Sequence, residues 1–136
     1  MKYEITDVCR RMLDNADLSI DLSGYPAVRL KFIVQGYVDG KFWTVRFECN
    51  QTISLNIEND SDVGRDDIHM VLGVSVNCKE KRDCDSSLHG YLDGLPSDSP
   101  VWLIRIDGHL ILNIVCCEFV WSLDELSTFE YEARYA

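Results

Sequence analysis

The chain has 136 residues, and its 23 acidic against 13 basic side chains give a formal net charge of −10. Such an excess of carboxylates argues against a nucleic-acid-binding surface, because phosphate backbones are held by clustered Lys and Arg. It disfavours an anchor on an anionic membrane surface for the same reason. With 46% hydrophobic residues the chain is too apolar for disorder, and its length suits a single domain over residues 1–136.

The negative charge is concentrated in the second part of the sequence. Acidic and basic residues balance from residue 1 to residue 57, so the whole excess lies in residues 58–136. There it forms three clusters, at 58–67, 83–98 and 118–136, each with a net charge of −4. This asymmetry is typical of an interaction surface, and equally of solvated loops that keep a protein in solution.

No segment of the sequence has the pattern of a signal peptide or a membrane span. The N-terminus lacks a continuous apolar core, and charged and polar residues interrupt the longest apolar run, at 101–121. We therefore expect a cytoplasmic protein. In that compartment the six cysteines are expected to act as small hydrophobic residues rather than as a disulfide framework.

The first predicted element is a helix. Apolar side chains recur from Ile5 to Ala16 with a period of 3.6 residues, which places them in one stripe along a helix. Residues 21–26 combine Asp, Leu, Ser, Gly, Tyr and Pro, so we expect a loop there.

A β-hairpin is predicted next, with Asp39-Gly40 as a two-residue type I′ turn. That turn sets Phe32 opposite Phe47, Val34 opposite Val45 and Lys31 opposite Glu48, so one face is apolar and the other polar. It also sets Trp43 opposite Gly36, where an aromatic ring shields a strand glycine.

Two further strands are predicted, at 52–57 and 68–78, because apolar and polar residues alternate there and place the apolar side chains on one face. The acidic segment 58–67 between them is expected to be an exposed loop, and the two strands are expected to pair in antiparallel fashion.

The stretch 79–100 is dense in Lys, Asp, Ser, Gly and Pro. A loop this long inside a domain is uncommon and tends to be functional or mobile, so it is the best candidate for a working region. The alternative is a flexible insertion without a role.

A second hairpin is predicted around Asp107-Gly108, with Leu103 opposite Leu112 and Ile104 opposite Ile111. Both of its faces are apolar, so each face needs a cover. The residues Ser-Leu-Asp-Glu at 122–125 match a capping box, which predicts a C-terminal helix. That helix would carry Leu123, Leu126, Phe129 and Ala133. The expected fold is α+β: an antiparallel sheet of about six strands with an N-terminal and a C-terminal helix.

The sequence predicts neither a metal nor a cofactor. The spacing of Cys78, Cys84 and His89 matches none of the usual zinc arrangements, and the adjacent Cys116 and Cys117 would point to opposite faces of a strand. The acidic run at 58–64 resembles a calcium loop, but a valine stands where the EF-hand requires glycine. The glycine-rich motifs that bind phosphate are absent from the sequence.

Catalysis is not expected. Cys84 with His89 is the one arrangement that resembles a nucleophile and its base, and the acidic neighbours Asp83 and Asp85 oppose formation of a thiolate. The motifs of common hydrolases do not occur in the sequence. His69 and His109 are expected to be structural or exposed. An enzyme that uses Cys84 and His89 is kept as the least favoured hypothesis.

The favoured hypothesis is a small acidic protein-binding or inhibitory module that masks a basic protein partner. A bacterial toxin-immunity protein has this kind of composition. The side chains expected to face the partner are the loop aspartates Asp60, Asp62, Asp66, Asp67, Asp83, Asp85, Asp93 and Asp98. The alternative is a homo-oligomeric structural or scaffold domain, such as a homodimer, in which an identical subunit covers the second apolar face of residues 101–120.

Overall fold

Six antiparallel strands form a closed barrel in the order β1-β2-β3-β6-β5-β4. The computed structural model describes residues 4–35, 41–59 and 69–126. One short helix precedes the strands, which confirms the expected antiparallel α+β architecture of six strands with an N-terminal helix. The elements are α1 (Ile5–Arg11), β1 (Asp17–Asp21), β2 (Val28–Gln35), β3 (Phe42–Asn59), β4 (His69–Glu80), β5 (Pro100–Gly108) and β6 (Leu110–Leu126).

The apolar stripe of the N-terminus is buried, although the helix is shorter than the stripe. Val8 and Leu13 are fully buried, but α1 ends at Arg11. Asn15 then adopts a φ of 66°, a left-handed conformation that asparagine tolerates better than most residues. The Asn15 N–H donates to the Val71 carbonyl at 2.8 Å, and the Val71 N–H donates to Ala16 at 2.9 Å. These bonds redirect the chain into β1, a strand that the sequence pattern does not predict.

The strand predicted at 52–57 is the second half of β3. Gln51 has a φ of 52°, and the register shifts between Thr52 and Ser54, so β3 bends at a bulge instead of ending. β6 pairs with β3 along its whole length, from Phe42 opposite Leu126 to Asn59 opposite Leu110. The expected pairing of 52–57 with the strand at 68–78 is therefore wrong, since β4 pairs with β5 and β1.

The first hairpin is displaced by two residues from the predicted register. Lys31 lies opposite Arg46, Phe32 opposite Val45 and Val34 opposite Trp43. A shift of two keeps every side chain on its predicted face, so the apolar face still points into the core. The four predicted pairs are therefore wrong: Phe32 with Phe47, Val34 with Val45, Trp43 with Gly36 and Lys31 with Glu48. β2 ends at Gln35 and β3 begins at Phe42, and the predicted turn lies outside the described residues.

The second hairpin is displaced by three residues, which changes the pairing on each face. Leu103 lies opposite Val115 and Ile104 opposite Ile114, so the predicted pairs with Leu112 and Ile111 are wrong. The neighbouring strand β4 accounts for the shift. Gly108 lies beside β4, where the His109 N–H donates to the Met70 carbonyl at 3.0 Å and His109 Nδ1 accepts from the Met70 N–H at 3.4 Å. β5 therefore continues through the residues predicted as the turn.

The predicted start of a C-terminal helix is also wrong, because residues 122–126 complete β6. They pair with the first residues of β3, and the Asp124 carboxylate lies 3.2 Å from the Arg46 guanidinium. Hydrogen bonding along a long strand pair outweighs a local capping pattern that contributes about 1 kcal/mol. Phe129 and Ala133 lie outside the described residues.

Aromatic rings occupy the centre of the barrel. The Phe32 and Phe47 ring centroids are 4.8 Å apart, and Phe47 and Phe119 are 4.9 Å apart, both with an edge-to-face geometry. Such pairs contribute about 1 kcal/mol beyond the area they bury. Ile104, Ile106, Leu112 and Ile114 complete this interior from β5 and β6.

Gly108→Ala is expected to destabilise the barrel. A Cβ at this position would overlap the Met70 carbonyl oxygen, so β4 and β5 would have to separate. We expect a loss of about 2 kcal/mol or more in the free energy of unfolding, measured by urea denaturation. The matched control is Gly90→Ala, since a Cβ there meets nothing within 4 Å. Equal effects of the two substitutions would contradict this account of Gly108.

Candidate functional site

Residues 81–99, here called the acidic cap, form an ordered layer on the outside of the barrel. The acidic cap contains two short 3₁₀ turns, Lys81–Asp83 and Ser86–Leu88. Its Leu92 is fully buried, and Leu92 packs with Cys84 against Val101 and Val115 on the outer face of the barrel wall. At Val101 and Val115 the second apolar face of β5 and β6 is therefore covered by the chain's own long connection, while Val120 of β6 stays exposed.

Hydrogen bonds fasten the two ends of the acidic cap together. The N–H of Lys81 donates to Ser99 at 2.9 Å, and the N–H of Arg82 donates to Ser97 at 3.0 Å, which extends the β4–β5 ladder. The Lys81 ammonium group donates to the Leu95 carbonyl at 2.7 Å. Burial of Leu92 adds about 2 kcal/mol of hydrophobic stabilisation. The segment is thus a fixed part of the fold.

Half of the aspartates that the sequence predicts to face a partner lie in the acidic cap. Asp83, Asp85, Asp93 and Asp98 are all exposed within its 19 residues. Asp60, Asp62, Asp66 and Asp67 lie outside the described residues. Two basic residues share the acidic cap with these four aspartates, and both are engaged elsewhere: Lys81 on a carbonyl and Arg82 in an ion pair with Glu80. The ion pairs within the described residues do not include the four aspartates.

Asp85 differs from the other three because it has a structural role. Its Oδ1 accepts a hydrogen bond from the backbone N–H of Ser87 at 2.9 Å, which caps the second 3₁₀ turn. The hydrogen bonds from the Ser87 backbone and hydroxyl hold the pKa of Asp85 below its ordinary value. A lowered pKa in the folded state means that this capping stabilises the acidic cap above about pH 4 and is lost as the pH falls through the folded-state value.

Cys84 and His89 are not arranged as a nucleophile and its base. The Cys84 thiol is buried and donates to the Glu80 carbonyl at 3.5 Å. His89 Nε2 contacts the backbone carbonyl of Cys84 at 3.1 Å, not its thiol. Burial raises the pKa of Cys84, which disfavours the reactive thiolate. The Cys84 side chain fastens the acidic cap to the end of β4, and the His89 side chain links the second turn of the acidic cap to its first.

The described cysteines and histidines form no metal centre. Cys49 and Cys116 meet in the barrel core, where their mutual hydrogen bond and burial hold the pKa of Cys116 far above its ordinary value. Burial likewise raises the pKa of Cys9 to about 11. Within residues 4–35, 41–59 and 69–126, no group of three or more His, Cys, Asp or Glu side chains is placed to hold an ion.

Tyr91 is a candidate binding residue that the sequence pattern does not single out. Its side chain is 65% exposed between the buried Leu92 and the turn at Ser86–Leu88. Exposed tyrosines are enriched at protein interfaces because one rigid side chain offers both apolar area and a hydroxyl group. Residues 88–95 contain three leucines that pack inward and one tyrosine that stays exposed. The sequence alone does not show which of these four side chains is buried and which is exposed.

Comparisons with known proteins assign no family to the chain. It matches no protein-family model, and neither a search of curated proteins nor a search of solved structures returns a match. None of the helices in the described part of the chain is long and apolar enough to cross a membrane. Because no comparison supplies a function, the functional proposal rests on the geometry of the acidic cap.

Leu92→Ala is expected to release the acidic cap from the barrel wall. Truncation of a fully buried leucine costs about 2–5 kcal/mol, and here the loss falls on the packing between the acidic cap and β5. We expect a lower free energy of unfolding in urea and faster cleavage of residues 81–99 by a nonspecific protease. The neighbouring Tyr91→Ala removes an exposed side chain and should leave both unchanged. A protease-resistant Leu92→Ala variant would contradict the packing described here.

Proposed function

We propose that this protein is a protein-binding module that masks a basic partner through the acidic cap. The observation that supports the proposal is the exposure of Asp83, Asp93 and Asp98 on a segment whose own leucine is buried in the barrel wall. A surface that is ordered before binding loses little conformational entropy when the partner arrives. The acidic cap therefore offers fixed carboxylates rather than a flexible acidic tail.

The charge pattern favours association with a basic surface. Because Lys81 and Arg82 are held by other partners, the aspartates of the acidic cap can attract cationic side chains at a distance. Complementary charge of this kind accelerates encounter and makes it sensitive to ionic strength. Tyr91 supplies an exposed apolar contact on the same segment.

Inhibition of a basic enzyme is the form of masking that we favour. Carboxylates that occupy the phosphate-binding groove of a nuclease, for example, block the groove by imitating its anionic substrate. Bacterial toxin-immunity proteins act as protein antagonists of this type, and the acidic composition of the chain supports the analogy.

The observation behind the homo-oligomeric alternative has another explanation. The second apolar face of residues 101–120 called for a cover, and the acidic cap packs on that face through Leu92 and Cys84. An identical subunit is therefore not required there.

The proposal is tested with the immobilised protein and a lysate of its native host. We expect a basic protein to be retained at low salt and released at high salt. The double variant Asp93→Asn with Asp98→Asn should slow association with that protein by about tenfold. The control, Glu4→Gln with Asp14→Asn, removes the same charge from exposed positions around α1 and should bind normally. Retention that is indifferent to salt, or equal loss in both variants, would refute the proposal.

A further inference from the structure

A groove on the outer face of the barrel wall crosses the first three strands. Its volume is about 330 Å³, which is within the range of small-molecule sites. Two polar side chains from each strand line it: Ser19 and Asp21 of β1, Arg29 and Lys31 of β2, and Arg46 and Glu48 of β3. Leu30 and Phe47 alternate with these residues and are buried in the core. The groove is therefore bordered by the polar outer face of the sheet.

The lining of this groove is positive, although the chain as a whole is strongly negative. Three basic side chains and two carboxylates give the lining a net charge of +1, whereas the whole chain carries −10. The two carboxylates are engaged at one end of the groove. Asp21 Oδ1 accepts hydrogen bonds from the Ser23 N–H at 2.9 Å and from the Ser23 hydroxyl at 2.6 Å. The Glu48 carboxylate lies 3.8 Å from the Arg29 guanidinium. The positive charge is therefore greatest at the other end.

At that end, the register of the strands places two basic side chains side by side. Lys31 lies directly opposite Arg46, and Ser19 lies opposite Lys31 on its other side. Like charges at directly opposite positions of a sheet repel each other and are destabilising. Lys31 is half-buried, so salt and water screen this repulsion only in part. An anion placed between the two cations would offset the repulsion.

Both cations can donate hydrogen bonds to a ligand in addition to their partners within the chain. Arg46 donates through Nη1 to Asp124 at 3.2 Å, and Asp124 belongs to β6, the strand beyond the groove. Lys31 also makes an interaction within the chain. A guanidinium group carries five N–H donors and an ammonium group three, so each can serve a ligand as well. The hydroxyl group of Ser19 is a further donor in the same row.

We propose that this groove binds a small anionic ligand whose phosphate or carboxylate group lies between Lys31 and Arg46. Ammonium and guanidinium groups hold such oxyanions by charge-assisted hydrogen bonds. The groove has room for more than the anionic group, and Asp21 and Glu48 at its other end can accept hydrogen bonds from hydroxyl or amino groups. The expected ligand is therefore a small phosphorylated or carboxylated compound that carries such groups.

The groove is separate from the surface to which a basic partner is expected to bind. It lies on β1, β2 and β3, whereas the acidic cap packs on Val101 of β5 and Val115 of β6. The binding of a small anion therefore does not depend on the function proposed above, and either proposal can fail without the other.

The test is a titration of the isotope-labelled full chain, followed by its amide chemical shifts at constant ionic strength. The probes are inorganic phosphate, glycerol phosphate and glycerate, with chloride as the control anion. We expect saturable shifts at the amides of residues 19, 30–31 and 46–47. Tighter binding of glycerol phosphate would assign a phosphate group to the ligand, and tighter binding of glycerate a carboxylate. Shifts that do not saturate with any probe, or that lie elsewhere on the barrel, would overturn the proposal.

Three variants locate the binding. Lys31→Gln removes one of the two cations and should weaken binding of the tighter probe about tenfold or more. Lys31→Arg keeps the charge and should bind much more tightly than Lys31→Gln. The control, Lys79→Gln, removes the same charge from an exposed position on β4 that does not line the groove, and it should bind normally. Urea denaturation verifies that the variants are folded. Equal weakening by Lys31→Gln and Lys79→Gln would overturn the proposal, because binding would then follow net charge alone.

Discussion

Two adjacent strands that are apolar on both faces set the main constraint on this structure. Ile104 and Ile114 of β5 and β6 point into the barrel core, while Val101 and Val115 point outward from the same strands. Each outward valine left in water would forgo about 1.5 kcal/mol or more of hydrophobic stabilisation. The acidic cap resolves the problem by placing Leu92 and its neighbours on the outer wall.

This constraint connects the fold to the proposed function. A segment needed as a cover must be held in place, and the hydrogen bonds of Lys81 and Arg82 to residues at the far end of the acidic cap hold it. The side of the segment that faces water can then carry any charge. Here it carries exposed aspartates and Tyr91, so the same residues that complete the hydrophobic packing also fix the position of a negatively charged surface.

The sequence predicts the faces of the strands better than it predicts their partners. In the first hairpin the register is displaced by two residues, so Phe32 and Phe47 keep their predicted face. In the second hairpin the displacement is three, because the backbone bonds between His109 and Met70 connect residues that are far apart in sequence. The helix start predicted from the capping box at 122–125 fails for a similar reason, since the partner strand β3 is remote in sequence.

The candidate site could be predicted only in part. The length and composition of residues 79–100 indicate a special segment, and four of its aspartates are indeed exposed. Its order could not be predicted, because it depends on an apolar patch formed by Val101, Val115 and Ile53 from three different strands.

Native-state hydrogen exchange at the amides of Leu92 and Leu95 tests the central claim most directly, because both amides are hydrogen-bonded inside the acidic cap. If the acidic cap is an integral part of the barrel wall, these amides should be protected and should open together with those of β5. Exchange of the Leu92 and Leu95 amides at the rate of an unfolded chain, with β5 still protected, would contradict the account.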